Sequence, residues 1–279
     1  MNTSNEKSSD NLSTGGRAPT QRDRGVSYAL GFILIFSVLL TGTLALFVVG
    51  VDVLSEVDRN EAVTANSENA NVIHSEVGDL TAQGATQRTM ALELVDSQLG
   101  LTEKRVTLRI ESEALPDIEY ESRELVYEVQ KHDVSFVYTL GHLYRITGES
   151  GEGVRSETPP VFDVSGGQTR LVVPSLVGIA GDGSTAIGVS GVGERELAAQ
   201  NWGGESFTRI NVVSGNIEPM IGTVTIVGTD HPRAWVTALE STGFSSVTRS
   251  DGEVTGEFET ERLTVQQADI ALDFGGDEP

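Results

Sequence analysis

The sequence predicts an α+β protein. An N-terminal transmembrane helix with a helical stalk leads into a mainly antiparallel, sandwich-like β-sheet head carrying one or two short helices. Three observations predict this. Residues Val26 to Val51 are 26 consecutive uncharged positions, 16 of them Val, Leu, Ile or Phe. Apolar residues then recur at helical spacing to about Leu99, and from Leu101 onward they alternate with polar residues in short segments.

The apolar run comes first. On a membrane-insertion scale its 16 large apolar side chains sum to roughly −5 to −9 kcal/mol, before the costs of Gly, Ser and Thr. At about 1.5 Å per residue it spans ~39 Å as a helix, enough for a hydrocarbon core of about 30 Å with some tilt. A secretory signal has an apolar region of only about 7–15 residues, and no A-x-A-like site follows this run. With zero cysteines, no lipoprotein anchor can form. Arg17, Arg22 and Arg24 precede the run, whereas Arg59 is the only Lys or Arg after it until Arg88. The positive-inside rule therefore predicts a cytoplasmic N-terminus and an extracellular C-terminal domain on a single-pass cell-membrane protein.

The rest of the chain divides by pattern. Residues 1–25 are polar and without periodicity, a disordered cytoplasmic leader. Residues 26–51 are the transmembrane helix. In 52–99, Ala70, Ile73, Val77 and Leu80 and then Leu92, Val95 and Leu99 recur at helical spacing, which predicts an amphipathic helical stalk; a partly ordered linker is the alternative, since Gly78 and Gly84 weaken the pattern. Residues 100–279 form the β-rich head. Val106, Leu108 and Ile110 alternate, as do Val134, Phe136, Tyr138 and Leu140, and Ile270, Leu272 and Phe274. Gly141-His142 turns one strand into the next, and further strands are expected over 169–173, 207–213, 223–227 and 254–259. A helix is expected over 231–242, with Pro232 in its first turn and Ala234, Trp235, Ala238 and Leu239 on one side.

Charge narrows the function classes. Asp and Glu number 41 against 19 basic residues, a net charge of −22, and only Lys7, Lys104 and Lys131 are lysines. Self-repulsion on this scale opposes compaction in dilute buffer but is screened at molar salt, where the Debye length is about 3 Å. The composition resembles that of halophilic archaeal proteins. It argues against nucleic acid as a partner, which requires a basic face.

No chemical motif stands out. His74, His132, His142 and His231 form neither H-x-H nor H-E-x-x-H, and His142 reads as a solvated imidazole in a hairpin turn. No G-x-S-x-G elbow, P-loop, G-x-G-x-x-G or EF-hand spacing is present, and Gly181-Asp182-Gly183 reads as a turn. Trp235 reads as core. Trp202, in a glycine-rich loop, is either a loop anchor or a contact for a glycan or partner. Only Asn2 and Asn11 are N-x-S/T acceptors, both on the expected cytoplasmic side. The expectation is a non-enzyme with no catalytic, cofactor-binding or metal-ligating residues and no cofactor.

The junction Arg24-Gly25-Val26-Ser27-Tyr28-Ala29-Leu30-Gly31-Phe32 resembles the start of archaeal type IV prepilins. The resemblance implies cleavage by a prepilin peptidase after Gly25, leaving Val26 at the mature N-terminus. It departs at Leu30, where many bacterial pilins carry a carboxylate, and at Tyr28, where many haloarchaeal pilins have Pro. Tyr138-x-x-Gly141-x-x-x-Arg145, Pro159-Pro160-x-Phe162 and Ala234-Trp235-x-x-x-Leu239 extend it to an uncharacterised group of haloarchaeal pilin-like, single-span membrane proteins. The implied role is a membrane-anchored, pilin-like structural or assembly protein whose partners are the lipid bilayer, a prepilin peptidase and other pilin-like subunits. The alternative is a single-pass surface binding module that does not polymerise. Small residues in the span (Gly31, Ser37, Thr41, Gly42) leave open both lateral association and simple anchoring.

Overall fold

A computed structural model describes residues 21–113, 115–130, 132–148, 153–179, 186–201, 207–213 and 219–274. Most of the expected leader lies outside them. Helix α1 runs from Gln21 to Gln83, and the chain divides into two compact units after Val57. Residues 21–25, expected in the disordered leader, are therefore helical.

In the first unit, Ala29–Phe47 is long and apolar enough to cross a membrane, with mean hydropathy 2.4 and no part buried. A helix suits such a segment because every mid-helix backbone donor and acceptor is paired within it. The hydroxyls follow suit: Thr41 and Thr43 donate to the carbonyls of Ser37 and Leu39, both at 2.8 Å.

In the second unit, α1 buries Ala62 and then, at spacings of three to four, Ala70, Ile73, Val77 and Leu80. The helix stops at Gly84, whose N–H donates to the Leu80 carbonyl at 3.0 Å and whose φ of 68° turns the chain out of the helix. Residues 87–99, expected as the second half of a helical stalk, are instead the start of strand β1 (Gln87–Ser112). Buried Met90, Leu92 and Leu94 alternate there, and an irregularity at Asp96 (φ 42°), where the register with the neighbouring strand shifts, moves the next buried positions to Ser97 and Leu99. That bulge makes the spacing of 92, 95 and 99 imitate a helix.

The remaining elements are β2 (Leu115–Val129), β3 (Val134–Thr139), β4 (His142–Thr147), β5 (Gly153–Thr158), β6 (Phe162–Ser165), β7 (Gln168–Ile179), β8 (Ala186–Asn201), β9 (Phe207–Val213), β10 (Met220–Val227), α2 (Pro232–Ser241), β11 (Ser245–Ser250), β12 (Glu253–Thr260) and β13 (Arg262–Phe274). All 13 strands join one sheet, with the path β5-β4-β3-β2-β1-β8-β13-β7-β6. Among the described residues β7 with β13 is the one parallel pairing. The expected sandwich of separate sheets becomes one branched sheet, because its long strands change partners along their length. β1 pairs β8 over 87–100 and β10 over 107–112, and β13 pairs β9 and then β8. One apolar core packs α1 against Leu92, Leu99, Leu125, Phe136 and Ile270; the other packs Trp235 and Leu239 of α2 with Leu108, Ile110 and Phe258.

Two asparagines set the α1 docking. At the Asp96 bulge, Asn66 donates to the Val95 carbonyl at 2.9 Å, and its Oδ1 accepts from Tyr127 OH at 2.7 Å and Ser97 Oγ at 3.2 Å. Asn69 donates to the Glu93 carbonyl at 2.6 Å and to Tyr127 OH at 3.1 Å. At the other end Gln266 Nε2 donates to the Ala82 carbonyl at 3.3 Å, satisfying an open acceptor at the helix C-terminus.

Asn66→Leu strips partners from the Val95 carbonyl, Ser97 and Tyr127 at once. It is expected to cost at least about 1–3 kcal/mol in urea unfolding of the second unit at molar salt. Ile73→Ala enlarges the apolar space between α1 and β1–β4 and is expected to cost about 2–5 kcal/mol in the same assay.

Candidate functional site

A second irregularity in β1 builds a cluster of titratable groups. The register with β2 jumps from Leu101–Leu125 to Arg105–Arg123, so Thr102, Glu103 and Lys104 oppose the single residue Glu124. Arg123 Nε donates to the Thr102 carbonyl at 2.6 Å and its guanidinium pairs with Glu103, which closes the bulge. Lys104 then reaches Glu124 at 3.5 Å and pairs with Asp230 in the loop before α2. Tyr144 on β4 donates its hydroxyl to the same Glu124 oxygen at 3.3 Å.

Glu124 is buried, and burial raises its carboxyl above the usual carboxylate range although Lys104 opposes the shift. Burial and the neighbouring Glu124 push the Tyr144 phenol up. The His231 ring lies 5.6 Å from that of Tyr144, and burial lowers its imidazole. His142 extends the cluster inward, its ring 4.6 Å from Trp235 and 5.1 Å from Tyr144. Its Nε2 hydrogen-bonds Ser156 Oγ at 3.0 Å, while Nδ1 and the Trp235 Nε1 are buried without partners. Burial, aided by nearby His74, pushes the His142 imidazole down to about 3.

This placement corrects the expectation of a solvated His142. The Leu140-Gly141 turn is a tight two-residue connection with φ of 50° and 80°, and it is itself buried. A Cβ on Gly141 would come within 3.2 Å of Pro174, so the close packing of the turn depends on glycine. His74 of α1 donates to the Gly141 carbonyl at 3.0 Å.

The cluster offers an acid, a phenol, an ammonium and imidazoles for proton exchange. No group of three or more metal-ligating side chains occurs among the described residues. Two cavities are present among the described residues, the second bordering the bulge at Thr102. One of about 10 Å³ sits between Ala70 and Ile73 of α1 and the sheet, and a groove of about 260 Å³ is lined by Gln98, Gly100, Thr102, Val126 and Glu128. The Lys104–Asp230, Lys104–Glu124 and Tyr144–Glu124 contacts fasten the loop before α2 onto β2 and β4.

The residues singled out for processing, Arg24, Gly25 and Val26, lie in the N-terminal part of α1, and Val51 further along it. Trp235 is in the core as expected, on a helix matching the expected one to within a residue at each end. Trp202 and Gly181–Gly183 lie outside the described residues. Lys104, Glu124, Asp230 and Tyr144 escaped sequence reasoning. Their signal was the odd step from Leu101 to Val106, which breaks the alternation and marks a bulge.

Fold and site together define a class: one apolar N-terminal helix leading into a mostly antiparallel β unit with few helices. Within that class the chain belongs to DUF7289, a family of unknown function, which it matches over residues 24–273. No curated protein and no solved structure matches the chain.

Lys104→Met leaves the Glu124 carboxylate buried without its cation and is expected to cost about 1–3 kcal/mol near neutral pH. Because the folded-state pKa of Glu124 is raised, acidification neutralises it in the fold first. The cost of Lys104→Met should therefore shrink toward about pH 4, as urea unfolding at both pH values will show.

Proposed function

We propose that the chain is a membrane-anchored, pilin-like structural or assembly protein of a halophilic archaeon. The segment 26–51 spans the cell membrane, the N-terminus is cytoplasmic, and the β-rich unit lies outside the cell. The observation that carries the reading is the exposed apolar helix Ala29–Phe47, which follows directly on Arg24-Gly25-Val26. An apolar segment of this length buries its side chains in lipid or against like helices. The later part of the same helix, from Asp58, belongs to the compact β unit, so anchor and head share one continuous element. The proposed partners are the lipid bilayer, a prepilin peptidase and other pilin-like subunits. Neither nucleic acid nor a cofactor is part of the proposal, and no enzymatic role is assigned.

A second reading rests on Leu30 and Tyr28, the two departures from the pilin pattern. On that reading the chain is a single-pass surface binding module that does not polymerise. In-cell crosslinking separates the two: ladders with pilin-like subunits support the first, monomer alone the second.

N-terminal sequencing of the membrane-extracted protein should return Val26 as the first residue. A chain still starting at Met1 would remove the processing step and, with it, the pilin-like assembly role.

A further inference from the structure

The β3–β4 turn is held on two sides by imidazoles. From α1, His74 donates to the Gly141 carbonyl and stands edge-on to the Tyr138 ring at 5.9 Å. From the turn itself, His142 stands edge-on to Trp235 of α2 and binds Ser156 of β5. The turn cannot relax in place. Leu140 is fully buried with φ of 50°, a conformation that costs a side-chain-bearing residue energy, and Gly141 abuts Pro174.

We propose that His74 and His142 form an acid-sensitive latch, in which protonation of the two imidazoles releases the β3–β4 turn from α1 and α2. The His142 ring is placed for the neutral state, its Nδ1 buried without a partner. Around His142 stand Tyr144 on its own strand, Ser156 on β5, Trp235 on α2 and His74 on α1, with no carboxylate among these contacts. Around His74 stand the Gly141 and Pro159 carbonyls, which favour its protonated form, and the Tyr138 ring; burial outweighs the two carbonyls and lowers the imidazole. The two histidines disfavour each other's charge. The nearest acids, Glu124 and Asp230, act on Tyr144 and His231 and are already engaged by Lys104.

The direction follows from linkage. Each imidazole is lowered in the folded state by burial. Its contribution is complete above its unfolded value of about 6.5 and is lost as the pH falls toward the folded value. Across that window each pH unit shifts the closed-to-open ratio by up to about tenfold per histidine. Glu124, raised in the fold, works the other way and gains stability on acidification, so the trigger lies with the histidines.

The test uses the full chain in detergent at molar salt, with Trp202→Phe so that Trp235 alone reports. On lowering the pH from about 6.5, Trp235 emission should shift to the red while far-ultraviolet circular dichroism retains its β signal. Adding His74→Gln and His142→Gln, with glutamine able to donate to Gly141, should lower the midpoint by at least about one pH unit. An unchanged midpoint overturns the latch. Should the double variant fail to fold, NMR titration of the two histidines in the parent decides. Values below the ordinary imidazole range support the latch, and values at or above it overturn it.

Discussion

The β unit depends on one constraint: the backbone groups that β1 exposes at its Asp96 bulge must find partners inside the protein. A bulge breaks the ladder and leaves a donor and an acceptor facing the core, where each unpaired group costs about 1–3 kcal/mol. Asn66 of α1 occupies that gap, with Tyr127 and Ser97 completing the network. Once the asparagine is placed, the rotation of α1 is set. Ile73, Val77 and Leu80 then fall against Leu92, Leu99 and Leu125 by helical period alone.

Bulges also explain why this sheet is branched. A strand of 26 residues exceeds the usual strand length of about 5–6 residues several-fold, so it must bend or twist away from a single partner. β1 does so at its two irregularities, near Asp96 and between Leu101 and Arg105. The first receives α1 and the second receives the Lys104–Glu124–Asp230 cluster that fastens α2. Both helices of the β unit are thus attached at places where the ladder is interrupted and polar groups are available.

What the sequence reveals divides along physical lines. The apolar segment was legible because membrane insertion depends on composition and length, not on contacts. Strands such as β10, β12 and β13 were legible where alternation is unbroken, and α2 because Pro232 and four apolar residues at helical spacing agree. The first half of β1 was misread, since one bulge converts a period of two into steps of three and four. The burial of His142 was hidden because a Gly141-His142 turn normally lies at the surface, and Pro174, α1 and Trp235 of α2, all distant in sequence, cover it. Asn66 and Asn69 determine how the helix seats, but their partners Val95, Glu93 and Tyr127 lie far along the chain, so no local pattern marks them. The Glu124 cluster depends on pairing between β1 and β2, which no local pattern reports.

We propose that the apolar helix Ala29–Phe47 anchors the β unit on the outer side of the cell membrane. The chain has no cysteine, so a single Asp251→Cys substitution in the exposed β11–β12 turn gives a unique chemical handle. Treatment of intact cells with a membrane-impermeant thiol reagent should label this residue without prior lysis. Labelling that appears only after the cells are broken would contradict the account.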